Sequence, residues 1–104
     1  MFQQLRKLQA FVHQHLPYLE SPIDHVLIIE IGYYQERGHT LTVKRLLLLK
    51  LGAPATVSRR LQRLVRLGLV HKRRVRHDGR LYCLEIDSAV RKTYAGYLKL
   101  ILRL

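Results

Sequence analysis

The sequence has one cysteine, no tryptophan, three prolines, six glycines and only seven acidic residues. A lone Cys83 excludes an intrachain disulfide framework and fits a reducing compartment. So little proline and glycine leaves no low-complexity linker, and no internal repeat is present. The longest aliphatic run, the leucines at 46–49, falls far short of the roughly 20 residues that span a bilayer. The N-terminal stretch is broken by Gln and His and lacks a secretory-type hydrophobic core. Catalytic signatures are also missing: Ser58 has no Gly-x-Ser-x-Gly context, and there is neither a paired-carboxylate motif nor a Gly-rich phosphate loop. His13, His15, His25, His39, His71 and His77 are scattered without metal-ligand spacing, so no metal and no cofactor is expected. A small, non-enzymatic, cytoplasmic domain is the expectation, nucleoid-associated if the source is bacterial.

What is abundant is positive charge, 19 Lys and Arg in 104 residues for a formal net charge of +12. Twelve of those cations lie between residues 44 and 80, where Asp78 is the sole acid. A merely solvated face would intersperse acids to form i,i+4 pairs, and the remainder of the chain does balance its charge. The concentrated cations point to a polyanion, with duplex nucleic acid ahead of an anionic membrane or an acidic protein.

Hydrophobic spacing divides the chain into helices and one hairpin. Phe2, Leu5, Leu8, Val12 and Leu16 mark one face of a helix that ends before Pro17. Ser21-Pro22-Ile23-Asp24 carries a helix start, with Ser21 as cap, Pro22 at the first position and Asp24 as the capping-box acid. That helix is expected to run to about Arg37 and stop at Gly38, with Ile23, Val26, Leu27, Ile31 and Tyr34 facing inward and Glu30 at the stripe's edge. Thr42 can cap a short helix from Val43 to about Lys50. Lys44 and Arg45 sit in its first turn, where the dipole disfavours cations unless a phosphate lies beside them.

Residues 51–53 form a tight connector to a helix expected over 54–67 and closing on Gly68. Its apolar set is Val57, Leu61, Leu64 and Val65. At about 100° per residue, Arg59 and Arg66 lie opposite that set, flanked by Ala55, Gln62 and Arg63. Such a face can enter a major groove, where Arg forks onto guanine and Gln pairs with adenine. Strands follow over 69–75 and 80–86, joined near His77-Asp78-Gly79, with Tyr82, Leu84 and Ile86 toward the core. Asp87 or Ser88 can cap a last helix carrying Val90, Tyr94, Tyr97, Leu98, Ile101 and Leu102.

The expected fold is therefore mainly α with a small β-hairpin, a winged helix-turn-helix in one domain, 1–104. The helix-turn-helix occupies 41–68 and the wing 69–86. Residues 41–87 resemble the MarR-type winged-helix regulators. The carriers are Leu41-Thr42, Ala55-Thr56-Val57-Ser58-Arg59, Leu61, Leu64, Gly68-Leu69-Val70, then Asp78-Gly79-Arg80, Leu84 and Ile86, spaced as in that family without gaps.

The resemblance implies a recognition helix from Pro54 in which Thr56, Ser58, Arg59, Gln62 and Arg63 approach phosphates or base edges. It implies a minor-groove arginine, Arg80, oriented by Asp78. Lys44, Arg45, Lys72, Arg74 and Arg76 would anchor phosphates. The terminal helices, 1–20 and 88–104, would form a homodimer through Phe2, Leu5, Leu8, Val12, Leu16, Tyr94, Tyr97, Leu98, Ile101 and Leu102. The implied activity is sequence-specific binding of double-stranded DNA by a transcriptional regulator, a repressor rather than an activator. A small-molecule effector is left unassigned. Leu47 departs from the small residue common at its place, Asp87 from a Thr cap, and the C-terminal region from the greater length usual in the family.

Two other non-enzymatic functions are open to such a sequence: a winged helix turned protein-interaction module, and an architectural DNA binder without sequence preference. A basic amphipathic last helix, with Arg91, Lys92, Lys99 and Arg103 opposite its apolar stripe, would suit a membrane surface. Cys83, on a strand with no second cysteine, is expected to be an inert, partly buried thiol.

Overall fold

Pro22 and Pro54 each open a helix, where a missing N–H is harmless and the fixed φ suits the first turn. The computed structural model describes residues 1–75 and 78–104, with backbone alone at 78–80. Along the chain come α1 (Phe2–His15), α2 (Pro22–Glu36), α3 (Val43–Leu48), α4 (Pro54–Arg66), β1 (Val70–Val75), β2 (Asp78–Ile86) and α5 (Ser88–Leu102). They form a mainly helical winged helix with one antiparallel hairpin. The chain divides into two compact units, Ser21–Asp87 on the one hand and Met1–Glu20 with Ser88–Leu104 on the other.

Within the Ser21–Asp87 unit, the capping box that starts α2 is formed: the Ser21 amide donates to Asp24 Oδ2 at 3.2 Å, and Ser21 Oγ accepts from the Ile23 amide. The buried face of α2 is Asp24, Leu27, Ile28 and Ile31. Leu27 and Ile31 are buried as expected and Ile23 and Tyr34 are half-buried, but Ile28 is drawn inside and Val26, placed inward by its spacing, is 38% exposed. Because α2 is apolar nearly all round, spacing alone cannot choose its inner face. The choice falls to Asp24, which is withdrawn fully from solvent.

Thr42 Oγ1 accepts from the Arg45 amide and caps α3, which ends at Leu48 rather than Lys50. Lys50 has φ +54°, a left-handed conformation that a helix cannot contain. Gly52 in the connector is confined sterically, since a Cβ there would lie 2.7 Å from Ile23 Cδ1. Gly68, with φ +77°, ends α4 in the left-handed cap that favours glycine. Leu27, Ile31, Leu41, Leu46, Val57, Leu61, Leu64, Val70, Leu84 and Ile86 make the core of this unit. Burying an aliphatic side chain contributes about 1.5–3 kcal/mol.

The hairpin pairs Val70 with Ile86, Lys72 with Leu84, and Arg74 with Tyr82. A register shift between Arg74 and Val75 then sets Val75 opposite Asp78. Asp78-Gly79, expected in the turn, is thereby drawn into β2, which begins two residues earlier than its alternation suggested. Tyr82, expected in the core, lies 36% exposed beyond the buried Leu84. The outer side of β2 is tied down by two bonds invisible to local pattern. The Leu84 amide donates to the Leu41 carbonyl at 2.8 Å, and the Ile86 amide donates to Gln35 Oε1 at 2.7 Å.

In the other unit α1 packs on α5. The Phe11 ring lies 5.5 Å from that of Tyr97 and 4.5 Å from that of His15. Leu5, Leu8, Val12, Leu16, Leu19 and Tyr97 line an open groove of about 550 Å³. No helix among the described residues is long and apolar enough to cross a membrane.

Candidate nucleic-acid interface

The second motif helix, α4, has two chemically distinct sides. Val57, Leu61 and Leu64 are buried in the core, and the opposite side exposes Ala55, Arg59, Gln62 and Arg66 to solvent. Thr56 and Ser58 lie half-buried at the boundary. The helix begins at Ala53 without a side-chain cap and carries no acid in its first turn. Its leading N–H groups therefore remain open to water or to an anion. Lys44 and Arg45 are exposed in the first turn of α3, at its end away from the connector to α4.

The inner flank of α4 is set by an ion pair that the sequence pattern did not reveal. Arg60 grips Asp24 with both branches of its guanidinium: Nε donates to Oδ1 at 2.7 Å and Nη2 to Oδ2 at 2.5 Å. Arg63 Nη1 reaches the same Oδ2 at 3.4 Å. Bidentate pairing of this kind fixes orientation as well as charge. Asp24 thus does two jobs, capping α2 and holding α4 against it.

Arg63, expected among the outward groove-reading side chains, is only 16% exposed and turned toward Asp24. The helical wheel put it at the edge of the exposed face, and a carboxylate buried on that flank draws it in. Beside Asp24, burial pushes the pKa of His25 below its ordinary value.

On the hairpin, Lys72 and Arg74 are exposed on β1. Arg76 lies outside the described residues, as do the side chains of Asp78 and Arg80, so the wing-tip pair implied by the resemblance cannot be placed. Among the described residues no group of three or more His, Cys, Asp or Glu side chains is positioned to hold a metal ion. Asp87, a candidate cap for α5, directs Oδ1 to His71 Nε2 at 2.9 Å. Cys83 is half-buried and pairs with Thr42 in an isolated bridge.

Of the residues expected at a dimer surface, Phe2, Leu5, Leu98, Ile101 and Leu102 are exposed, whereas Leu8, Val12, Tyr94 and Tyr97 are half-buried. Leu16 is 1% exposed and lies withdrawn within the chain itself, because it ends α1 at the point where the backbone turns.

No protein-family model and no curated protein sequence matches the chain. Solved structures do. A crystal structure of MarR aligns with a TM-score of 0.63 at 21% identity, covering 96% of this chain and 71% of that one. The chain has the MarR-type winged-helix fold. A mutant MarR from E. coli complexed with operator DNA aligns at TM-score 0.62 and 16% identity over 96% of this chain and 69% of its own. The heme sensor protein PefR, in complex with heme and carbon monoxide, aligns at TM-score 0.61 and 14% identity over 95% and 68%. In the frame of the MarR-type fold, α3 and α4 are the helix-turn-helix and β1–β2 the wing.

Proposed function

We propose that the protein is a transcriptional regulator that binds duplex DNA sequence-specifically as a homodimer and represses by occupying its site. The observation that carries this is the two-sided α4. Its inner flank is locked to Asp24 through Arg60, and its outer face presents Arg59, Gln62 and Arg66 with no acid in the first turn. A rigid helix with donors on one face suits base readout, Arg59 forking onto guanine and Gln62 pairing with adenine. The exposed Lys44, Arg45, Lys72 and Arg74 would add phosphate-seeking charge, and Arg76 is proposed for the same set. Thr56 and Ser58 would donate to the DNA backbone from the helix start. Arg80, oriented by Asp78, is proposed for the adjacent minor groove, where a narrow A·T tract concentrates negative potential. Arg63 serves the clamp instead of the groove. The fold adds support, since one protein that shares it has been seen with operator DNA.

The homodimer reading rests on the apolar residues that α1 and α5 leave in water, Phe2, Leu5, Leu98, Ile101 and Leu102. Leu8, Val12, Tyr94 and Tyr97 would border the seam, with no membrane partner required. A protein working on chromosomal DNA would reside in the cytoplasm.

Incubating the protein with a random pool of roughly 30-base-pair duplexes at near-physiological salt, then sequencing the bound fraction, tests this. Enrichment of a palindrome with half-sites about one helical turn apart is the expected result. Salt-sensitive retention without a motif would instead make the protein an architectural binder. Absence of binding would leave a protein-interaction module.

A further inference from the structure

The hairpin separates its charges by face. Directly opposite residues of an antiparallel ladder share a side, so His71, Arg73, Cys83 and Glu85 lie on one face and Lys72, Arg74, Tyr82 and Leu84 on the other. On the first face the basic side chains face acids: Arg73 Nε lies 2.8 Å from Glu85 Oε2, and His71 Nε2 lies 2.9 Å from Asp87 Oδ1. On the second face Leu84 is buried at the base, and beyond it the Tyr82 ring lies between two cations. Lys72 Nζ is 5.8 Å and Arg74 Cζ 5.7 Å from its centroid, and Arg74 Nε donates to the phenolic oxygen at 3.1 Å. Among the described residues no carboxylate pairs with Lys72 or Arg74.

On the DNA-binding reading above, we propose that Lys72, Arg74 and Tyr82 form a seat for one phosphodiester group of duplex DNA. The chemistry of the three groups fits that ligand. Tyr82 Oη accepts the Arg74 Nε–H, so its own proton is free to be donated to a non-bridging oxygen. The terminal guanidinium nitrogens of Arg74 remain as donors, and the Lys72 ammonium supplies a second charge.

The aromatic ring holds both long side chains in place before the anion arrives, and less side-chain freedom is lost on binding. A single phosphodiester presents two oxygens and one negative charge to this set. The neighbouring cations of the same basic segment would be satisfied by adjacent phosphates of one backbone. Tyr82 acts here as a phosphate ligand and as the positioning residue for Arg74.

The test uses the full chain and its Tyr82→Phe, Arg74→Ala and doubly substituted forms, titrated against the enriched duplex and a scrambled duplex over a salt series. Tyr82→Phe keeps the ring and removes only the hydroxyl. It is expected to weaken both duplexes alike by about three- to tenfold, the size of one hydrogen bond, with an unchanged salt slope and melting temperature. Arg74→Ala is expected to flatten the log–log salt slope by about one unit. The double variant should lose less than the product of the two single losses, because both groups serve one phosphate.

Wild-type affinity in Tyr82→Phe, or losses that multiply fully in the double variant, would overturn the seat while leaving the DNA-binding reading intact. So would a loss confined to the enriched sequence, which would mean a base contact. A wild-type protein that retains no duplex at any salt overturns that reading and the seat together.

Discussion

At the scale of single residues, Asp24 carries more than its place in the sequence suggests. A Ser-Pro-x-Asp start marks it as a capping acid, and it is one, but it also holds Arg60 and Arg63, 36 and 39 residues further along the chain. No local pattern can reveal such a contact, because it exists only once α4 has packed on α2. Burial raises the stakes, since a fully withdrawn carboxylate and a mostly buried guanidinium each depend on the other for solvation. Asp24→Asn removes the charge, leaves Arg60 without its counter-ion, and is expected to destabilise the fold by about 3–5 kcal/mol. That corresponds to a fall in melting temperature of more than about 10 °C. Arg63→Ala, at the longer distance, should cost much less. Calorimetry on the two variants checks this, and equal small losses would show that the clamp is not structural. Tyr82 is the converse case: its alternation with Leu84 and Ile86 suggests core, and it does share their face, but it lies beyond the buried Leu84 and is 36% exposed among cations.

At the scale of elements, α4 was the most legible part of the molecule. Its apolar set, its proline start and its glycine stop all agree, so propensity, pattern and capping point to one structure. Its outer face follows from the same wheel, save Arg63. The expected consequence for Arg59→Ala is a loss of about 1–3 kcal/mol on the enriched duplex with little change on scrambled DNA, if Arg59 forks onto a guanine. Competition binding with the two duplexes measures it. An equal loss on both would reassign Arg59 to the phosphate backbone. The α2 helix was legible as a helix and in Leu27 and Ile31 of its inner face, but not in the burial of Ile28 over Val26, and the hairpin was legible in its strands but not in its register. In each case the missing information is a contact with another element: Arg60 for α2, and the Leu41 carbonyl and Gln35 side chain for β2.

At the scale of the whole molecule, most of the cations between residues 44 and 75 are borne by α3, α4 and β1, and α1 and α5 expose Phe2, Leu5, Leu98, Ile101 and Leu102, the residues proposed to meet a second copy. Replacing Leu98 and Leu102 together by Asp should convert a dimer to a monomer in sedimentation. The same variant should abolish protection of the paired half-sites while sparing weak, salt-sensitive binding. Paired half-site protection by the double variant would place the dimer contact elsewhere than on α5. A wild-type protein that sediments as a monomer would remove the dimer from the proposal.

Local physics sufficed for the kinds of element, their order and the winged-helix class. Proline and glycine punctuation, capping residues and the periods of 3.6 and 2 act over a few residues, and each can be read from neighbours in the chain. The same holds for the basic segment, whose excess charge needs no folding to be counted. Tertiary structure alone decided that Ile28 rather than Val26 of α2 turns inward, which arginines of α4 remain outside, where the hairpin register slips, and that Tyr82 joins Lys72 and Arg74. Those outcomes depend on pairings between residues far apart in sequence. Their energies arise only when packing excludes water from one partner and leaves the other no better place to be.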